Sequence, residues 1–479
     1  MLATINDLIW NPMAYFALLV GLWFTAVTRG IQFRRFKQMF REIMAPPAET
    51  DGVRPLQAVL LTLSSRIGVG NIAGVATAIY AGGPGAMFWM VVVALLGSAS
   101  AYAEVLLSQT FKRRLGGEDR GGAPFYVQAA LKLRWLAVII ACCYLVCYGF
   151  LTTGVQASTI TASAENAFGV PAWGTAVVLT ILMGFTIFGG TARIMQVAQV
   201  MVPVMALCYI AMLLILMGMN IDQIVPSIQL VLGSAFGQDE IFGGLAGAAI
   251  AWGVRRATFS NVAGVGEGTF ASASASNTHP SKQGLIQSFS IFIDTVVVCQ
   301  VTGIMILITN SYNVSQGDDM LVEYLPGLEA GVSYTQEAIN TGMPGFGPAF
   351  VALGIFFFAL TSMVAYYYIA ETNLFFIMGR ADGIARLVLR LGALGITIFG
   401  CLGSGDIMWA LGDISFGLLG WINMLVILSL TPIVIRVTKD YDSQLRAGKD
   451  PIFRPRDLGI DNADWWEDFH ARRTAVAER

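Results

Sequence analysis

Charge is what this chain lacks most. Only 13% of its 479 residues are Asp, Glu, Lys or Arg, about half the share of an ordinary soluble domain. Histidine is nearly missing. His279 and His470 are the only two, both expected in polar cytoplasmic surroundings, and no metal-ligand set or nucleophile–base pair is visible. An enzyme is therefore not expected, and no organic cofactor. The six cysteines (Cys142, Cys143, Cys147, Cys208, Cys299, Cys401) follow no zinc spacing and fall inside apolar runs, which reads as buried reduced thiols. Residues 1–12 hold no basic cluster, so no cleavable signal is expected. A net charge of −2 carries no message about nucleic acid. Rings of carbonyls or charges, as a channel pore requires, are not repeated along the chain.

What is present is apolar length: 56% of residues are hydrophobic. Runs able to cross a bilayer, about 20 residues each, occur near 13–28, 56–80, 84–110, 135–164, 172–189, 194–218, 241–275, 284–309, 347–378, 384–403 and 406–435. Eleven spans put the two ends on opposite sides. On this threading 26 of the 29 basic residues fall on one side, and loops 219–240 and 310–346 contain none. The positive-inside rule then places the N-terminus outside and the C-terminus in the cytoplasm. Loop 29–54 and the charged tail 436–479 are cytoplasmic, and no domain is expected in the tail. Glu104 lies late in its span and is expected to pair with the nearby Lys112-Arg113-Arg114 cluster.

One phrase occurs twice. Residues 66–75 read RIGVGNIAGV and residues 256–265 read RATFSNVAGV, with Arg, Asn, Ala, Gly and Val at identical offsets. Small residues also serve ordinary helix packing in membranes. Matching polar, glycine-containing interruptions in two halves of a membrane protein nevertheless point to a transporter's central site. With the first span set aside as peripheral, spans two to six (56–218) and seven to eleven (241–435) form two sets of five in opposite orientation, each opening on a broken helix. Residues 1–55 hold the peripheral span and its basic loop, and 219–240 is an extracellular loop. The fold class is all-α integral membrane.

The stretch Gly82-Gly83-Pro84-Gly85-Ala86-Met87-Phe88-Trp89-Met90, together with 64–74, Phe259-Ser260-Asn261, Phe292-Ile293-Asp294-Thr295, Tyr366-Tyr367-Tyr368 and Gly412-Asp413-Ile414, resembles the alanine or glycine:cation symporter family. The resemblance covers roughly residues 10–440. It implies a LeuT-type five-plus-five fold that imports a small neutral amino acid with sodium as the coupling ion, in a bacterial-type cytoplasmic membrane.

A zwitterion at mid-membrane needs donors for its carboxylate and acceptors for its ammonium. Unwinding at Gly68-Val69-Gly70 frees amides at a half-helix N-terminus, which suits an anion; Val69, Gly70 and Asn71 are the expected carboxylate ligands. A second break around Phe259-Ser260-Asn261 offers carbonyls for the ammonium, with Phe259 either a pocket wall or ordinary packing. Gln156 resembles a family glutamine facing substrate, or else makes a plain interhelical hydrogen bond. For sodium, Ser64 and Ile67 offer carbonyls and Thr361-Ser362 two hydroxyls, unless those hydroxyls simply bond their own helix backbone, as is common in membrane helices; the resemblance places sodium between those two elements. Asp294 could bind a cation, pair with Arg66 or Arg256, or stay protonated, and a polar-network role near the first break is favoured. Asp413 is expected in a gate or network.

The chain also departs from the family pattern. Val262 stands where the family has Glu, Glu267 where it has a small residue, Thr269 where it has Pro, and Phe416 where it has Asn. These changes put alanine or glycine as substrate in more doubt than amino-acid transport itself. A proton-coupled or uncoupled transporter of another amino acid, such as glutamine or asparagine, is the alternative, with Asp294, Glu267 or Asp413 titrating.

Overall fold

The computed structural model describes residues 2–49, 52–317 and 319–477. Helix dominates, because a helix pairs its backbone groups within its own segment, as an apolar surrounding demands. In chain order the main helices are α1 (Leu2–Val27), α2 (Pro55–Arg66), α3 (Ala73–Gly82), α4 (Ala86–Thr110), α5 (Arg134–Phe168), α6 (Ala172–Phe188) and α7 (Gly190–Met219). After a loop helix at Ile221–Ala235 come α8 (Ala246–Asn261), α9 (Gly268–Ala273), α10 (Pro280–Ile308), α11 (Gly347–Met378), α12 (Gly383–Leu402) and α13 (Gly405–Ser429). α14 (Thr431–Arg446) and α15 (Asp464–Ala477) close the described chain.

Eight of these helices are long and apolar enough to cross a membrane, and α2 with α3, bent by 55° at a short break, makes a ninth. α6 and α8, at 17 and 16 residues, are shorter. Along α6, α7 and α12 large apolar side chains such as Phe185, Leu207 and Val388 are exposed, the surface a hydrocarbon solvent covers. Cys142 and Cys208 lie on that exposed surface rather than in the core, and all six cysteines are free.

α4 is the central post, packed against α10, α8 and α1. Its run Gly97-Ser98-Ala99-Ser100-Ala101 is wholly buried, and residues this small let helices approach closely. Two long helices carry π-helical stretches, Cys147–Leu151 in α5 and Phe292–Cys299 in α10; such bulges are frequent at functional sites. Two antiparallel hairpins lie between helices. β1 (Arg113–Leu115) pairs with β2 (Glu118–Arg120), Arg113 opposite Arg120, and β3 (Asn313–Gln316) pairs with β4 (Asp319–Glu323), Asn313 opposite Glu323.

The tail folds back onto the body. Trp466 is fully buried and its indole donates to the Gln109 carbonyl at 3.1 Å, while the Trp465 indole donates to Asp119 at 2.8 Å. Lys112, expected as a partner of Glu104, is instead buried with its Nζ 3.7 Å from the Trp465 ring centre and 2.9 Å from the Ala275 carbonyl. Burial pushes its pKa down to about 8. His279 is likewise buried, not polar-exposed: it caps α10 by accepting from the Ser281 amide and lies 3.2 Å from Asp440. Trp466→Ala removes about 3–5 kcal/mol of buried indole packing. Trypsin is therefore expected to cut faster at Arg454 and Arg456 in that variant, as limited proteolysis with mass spectrometry would read.

Candidate binding site

α2 stops at Arg66. Residues 67–72 contain a single 3-10 turn, Val69–Asn71, before α3 resumes. Glycine is required here by closeness. A Cβ on Gly68 would stand 2.7 Å from Ser362 Oγ and 3.3 Å from both terminal atoms of Gln156. On Gly70 it would stand 3.2 Å from the Phe259 ring.

The second interruption comes later than the sequence reading puts it. α8 runs through Phe259, Ser260 and Asn261, and the chain unwinds over 262–267. Val262 has φ +49°, followed by Gly264 at +80° and Gly266 at +91°. A β-branched residue in the left-handed region is strained by about 1–3 kcal/mol and persists only where its surroundings hold it. Asn423 does so, donating to the Gly264 carbonyl at 2.8 Å, as does the Tyr144 hydroxyl, which donates to the Val265 carbonyl. The carbonyls of Phe259, Ser260 and Asn261 thus lie in a last helical turn, where amide partners run out.

Asp294, in the π-helical stretch of α10, ties the two interruptions together. Its carboxylate accepts from Asn71 Nδ2 at 2.8 Å, from Ser260 Oγ at 2.9 Å and from Thr295 Oγ1 at 2.8 Å. An ion pair with Arg66 or Arg256, the alternative left open, does not form among the described residues. Asn71 also accepts from the Gly68 amide at 2.9 Å, and Thr302 Oγ1 donates to the Asn71 carbonyl at 2.7 Å. Asn261 is turned to Thr295 at 3.0 Å and caps the Ala263 amide. The side chains of Asn71 and Asn261 are thus occupied in shaping the breaks.

Ser362 closes the other side of the first break. Its Oγ lies 2.9 Å from the Ser64 carbonyl, 3.4 Å from that of Ile67 and 3.0 Å from that of Phe358. A hydroxyl has one proton to donate, so these three acceptors share a single donor. Thr361 Oγ1 reaches the same Phe358 carbonyl at 2.8 Å.

Five aromatic rings from four helices border the break. Phe259 stacks on Trp409 at 5.3 Å and meets Phe416 edge-on at 4.9 Å; Phe416 contacts Tyr148, and Tyr148 contacts Tyr366 at 5.3 Å. Gln156 lies between them, accepting from the Val69 amide and donating to the Tyr366 hydroxyl, both at 3.3 Å. Phe259, Phe416, Tyr148, Tyr366 and Gln156 are all buried. Sequence reasoning assigned no role to Trp409 and Tyr148. The run Tyr366-Tyr367-Tyr368 was a visible signal for Tyr366, whereas the π-helical stretch that carries Tyr148 has no signature in composition.

Three charged groups depart from or sharpen the expectations. Asp413 forms a buried triad, 2.8 Å from Arg255 and 3.3 Å from Arg256, and the Arg256 guanidinium lies 5.5 Å from the Trp409 ring centre. Glu104 is not paired with residues 112–114; it accepts from Asn423 at 2.9 Å and has Arg66 and Glu267 as electrostatic neighbours. Arg66 donates to Ser290, and a Cβ on Gly268 would lie 2.6 Å from its Nη2.

Two interrupted helices meeting at a polar centre within a bundle of long apolar helices are the marks of a membrane transporter. The chain belongs to the sodium:alanine symporter family, which matches residues 1–455. It is a multi-pass secondary active transporter and not an enzyme. YrbD of Bacillus subtilis (strain 168) is 45% identical over 468 residues, 97% of each chain. The sodium/proton-dependent alanine carrier protein of Bacillus sp. (strain PS3) is 41% identical, covering 91% of this chain and 98% of its own. GlnT of Bacillus subtilis (strain 168), which bears the name of a sodium/glutamine symporter, is 36% identical over 94% of this chain and 91% of its own.

Proposed function

We propose that this chain imports a small neutral amino acid, alanine or glycine, together with sodium by alternating access across a bacterial cytoplasmic membrane. In this reading the eleven helical spans comprise α1 as a peripheral helix and two inverted sets of five, 56–218 and 241–435. The N-terminus is outside and the C-terminus cytoplasmic. The observation that carries it is the group around Ser362: carbonyls from the first break and a hydroxyl from α11 converge with fewer protons than acceptors, an arrangement suited to a small hard cation. Ser64, Ile67, Thr361 and Ser362 hold the ion. Val69, Gly70 and Asn71 present the break that receives the carboxylate, and the last-turn carbonyls of α8 receive the ammonium. Crowding by Phe259 and Phe416 favours a short side chain over that of glutamine.

Sodium and substrate both need the break held in one geometry, so each raises the other's affinity. The test is thermal unfolding of the purified protein with alanine, glycine or glutamine, each in sodium or in potassium. A ligand at about 100 times its Kd adds about 2.7 kcal/mol of apparent stability. Alanine with sodium is expected to stabilise more than the two separately, and Thr361→Ala/Ser362→Ala to lose that synergy while staying folded. Equal stabilisation in potassium would refute the sodium assignment. Uptake driven by a pH gradient alone in sodium-free buffer would put protons in sodium's place.

A further inference from the structure

We infer that the short helix Phe36–Ile43, with the α10 rings it touches, is a binding site for an anionic phospholipid: Lys37 and Arg41 take the phosphate, and Phe36 and Phe40 take the acyl chains. The site does not depend on which solutes the chain carries. The helix follows α1 after a single helical turn at Ile31–Arg34. Phe33, Phe36, Phe40 and Met44 recur at steps of three and four, which puts them on one face, and all four are exposed, by 40% to 76%. The far side carries the buried Met39 and Glu42. An apolar stripe flanked by cations is the make-up of a helix that lies in a membrane interface.

Two counts put it at that level. About 20 helical residues fill a hydrocarbon core. Counted back from the end of α10 at Ile308, they stop beside Phe289; counted from Thr4 on α1, they stop near Phe24, close to the end of that span. Phe40 packs on Phe289 at 4.5 Å, and Phe36 lies 5.7 Å from Phe289 and 5.8 Å from Phe292. The stripe is thus continuous with a face of α10 on which Val297 is also exposed. Phe292 opens the π-helical stretch that carries Asp294, so a lipid held here bears on the helix to which both interruptions are tied.

Charge names the headgroup. Residues 28–48 hold five basic side chains and one acid, Glu42. Arg34 and Arg35 are held by Asp442 at 2.8 and 2.7 Å. Glu42 is buried and accepts from Gln38 at 2.6 Å. Arg41 stays 3.8 Å from it with its side chain 66% exposed, and Lys37, also exposed, has no acidic partner among the described residues. Lys37 and Arg41 form a row one step round the helix from Phe36 and Phe40, so the long cationic arms stand at headgroup height while the rings face the chains. A zwitterionic headgroup would bring its ammonium to a place with no free carboxylate to receive it. A second copy of the chain, meeting this face across a two-fold axis, would set these cations against their own counterparts.

The experiment titrates the purified chain, in a neutral detergent, with phosphatidylglycerol or phosphatidylcholine, and reads thermal unfolding and, by native mass spectrometry, bound lipid. Phosphatidylglycerol is expected to bind and to stabilise more than phosphatidylcholine. Lys37→Gln/Arg41→Gln should weaken its binding about 30-fold, the equivalent of about 2 kcal/mol at about 1 kcal/mol for each cation. Lys37→Arg/Arg41→Lys, which keeps both charges, should bind as the wild type does. Lys439→Gln/Lys449→Gln removes two exposed cations from a stretch with no exposed large apolar side chain and should change nothing. Equal binding of the two lipids, or an equal loss in Lys439→Gln/Lys449→Gln, overturns the proposal. So does displacement of phosphatidylglycerol by inorganic phosphate, the mark of a free-anion site, or a dimer in detergent that Lys37→Gln/Arg41→Gln splits, the mark of a face between copies.

Discussion

Asp294→Ala is expected to lower sodium-driven alanine uptake into proteoliposomes at least about 100-fold. The reasoning is a count of orphaned donors. In the wild type Asn71 Nδ2, Ser260 Oγ and Thr295 Oγ1 all end on this one carboxylate, and all three residues are fully buried. Alanine leaves those donors facing a void, at about 1–3 kcal/mol each. Even the low end of that range, about 3 kcal/mol in total, is two powers of ten in the population of the competent geometry. The damage falls on transport because Asn71 belongs to the first break and Ser260 to the last turn of α8 just before the second, so losing their common acceptor lets the two interrupted helices shift independently. Asp294→Asn should be milder. Its amide oxygen still accepts from Asn71, and the Ser260 and Thr295 hydroxyls can turn to accept from its NH₂. Uptake in Asp294→Ala within tenfold of the wild type would show that the two breaks do not depend on this carboxylate.

Gly68→Ala is expected to raise the sodium concentration for half-maximal uptake by about 10–100-fold. A methyl at this position overlaps Ser362 Oγ at 2.7 Å and crowds the Gln156 amide. Overpacking of this kind costs about 1–3 kcal/mol, and here it is relieved by pushing Ser362 away from the Ser64 carbonyl. The repeated phrase holds its own control. Gly74→Ala would meet only Arg256 Cδ, at an ordinary 3.8 Å, and should transport normally. Equal sodium dependence in the two variants would dissociate Gly68 from the cation.

Much of the helical framework was legible, since each apolar run coincides with helix and the first break sits where its glycines are. The second break was misplaced by a few residues because its pivot is Val262, a residue that rarely takes a left-handed conformation and so gives no warning. The sequence named Asp294, Asn71 and Ser260 but could not pair them; that pairing depends on the register of α10 against helices distant in the chain. Glu104 went to the wrong partner because nearness in sequence to Lys112 outweighed the unseen contact with Asn423. The packed tail was missed because its charge hid the aromatic spacing of Trp465, Trp466 and Phe469.

If the carrier cycles as proposed, with sodium at Ser362, the single hydroxyl of that residue also bears on the half of the cycle in which nothing is carried. With no ion bound, its proton can settle on the Ser64 carbonyl, so the break remains moored to α11. The return trip is then made by an already assembled machine rather than a loosened one, and the resting carrier need not rebuild its centre before each new load.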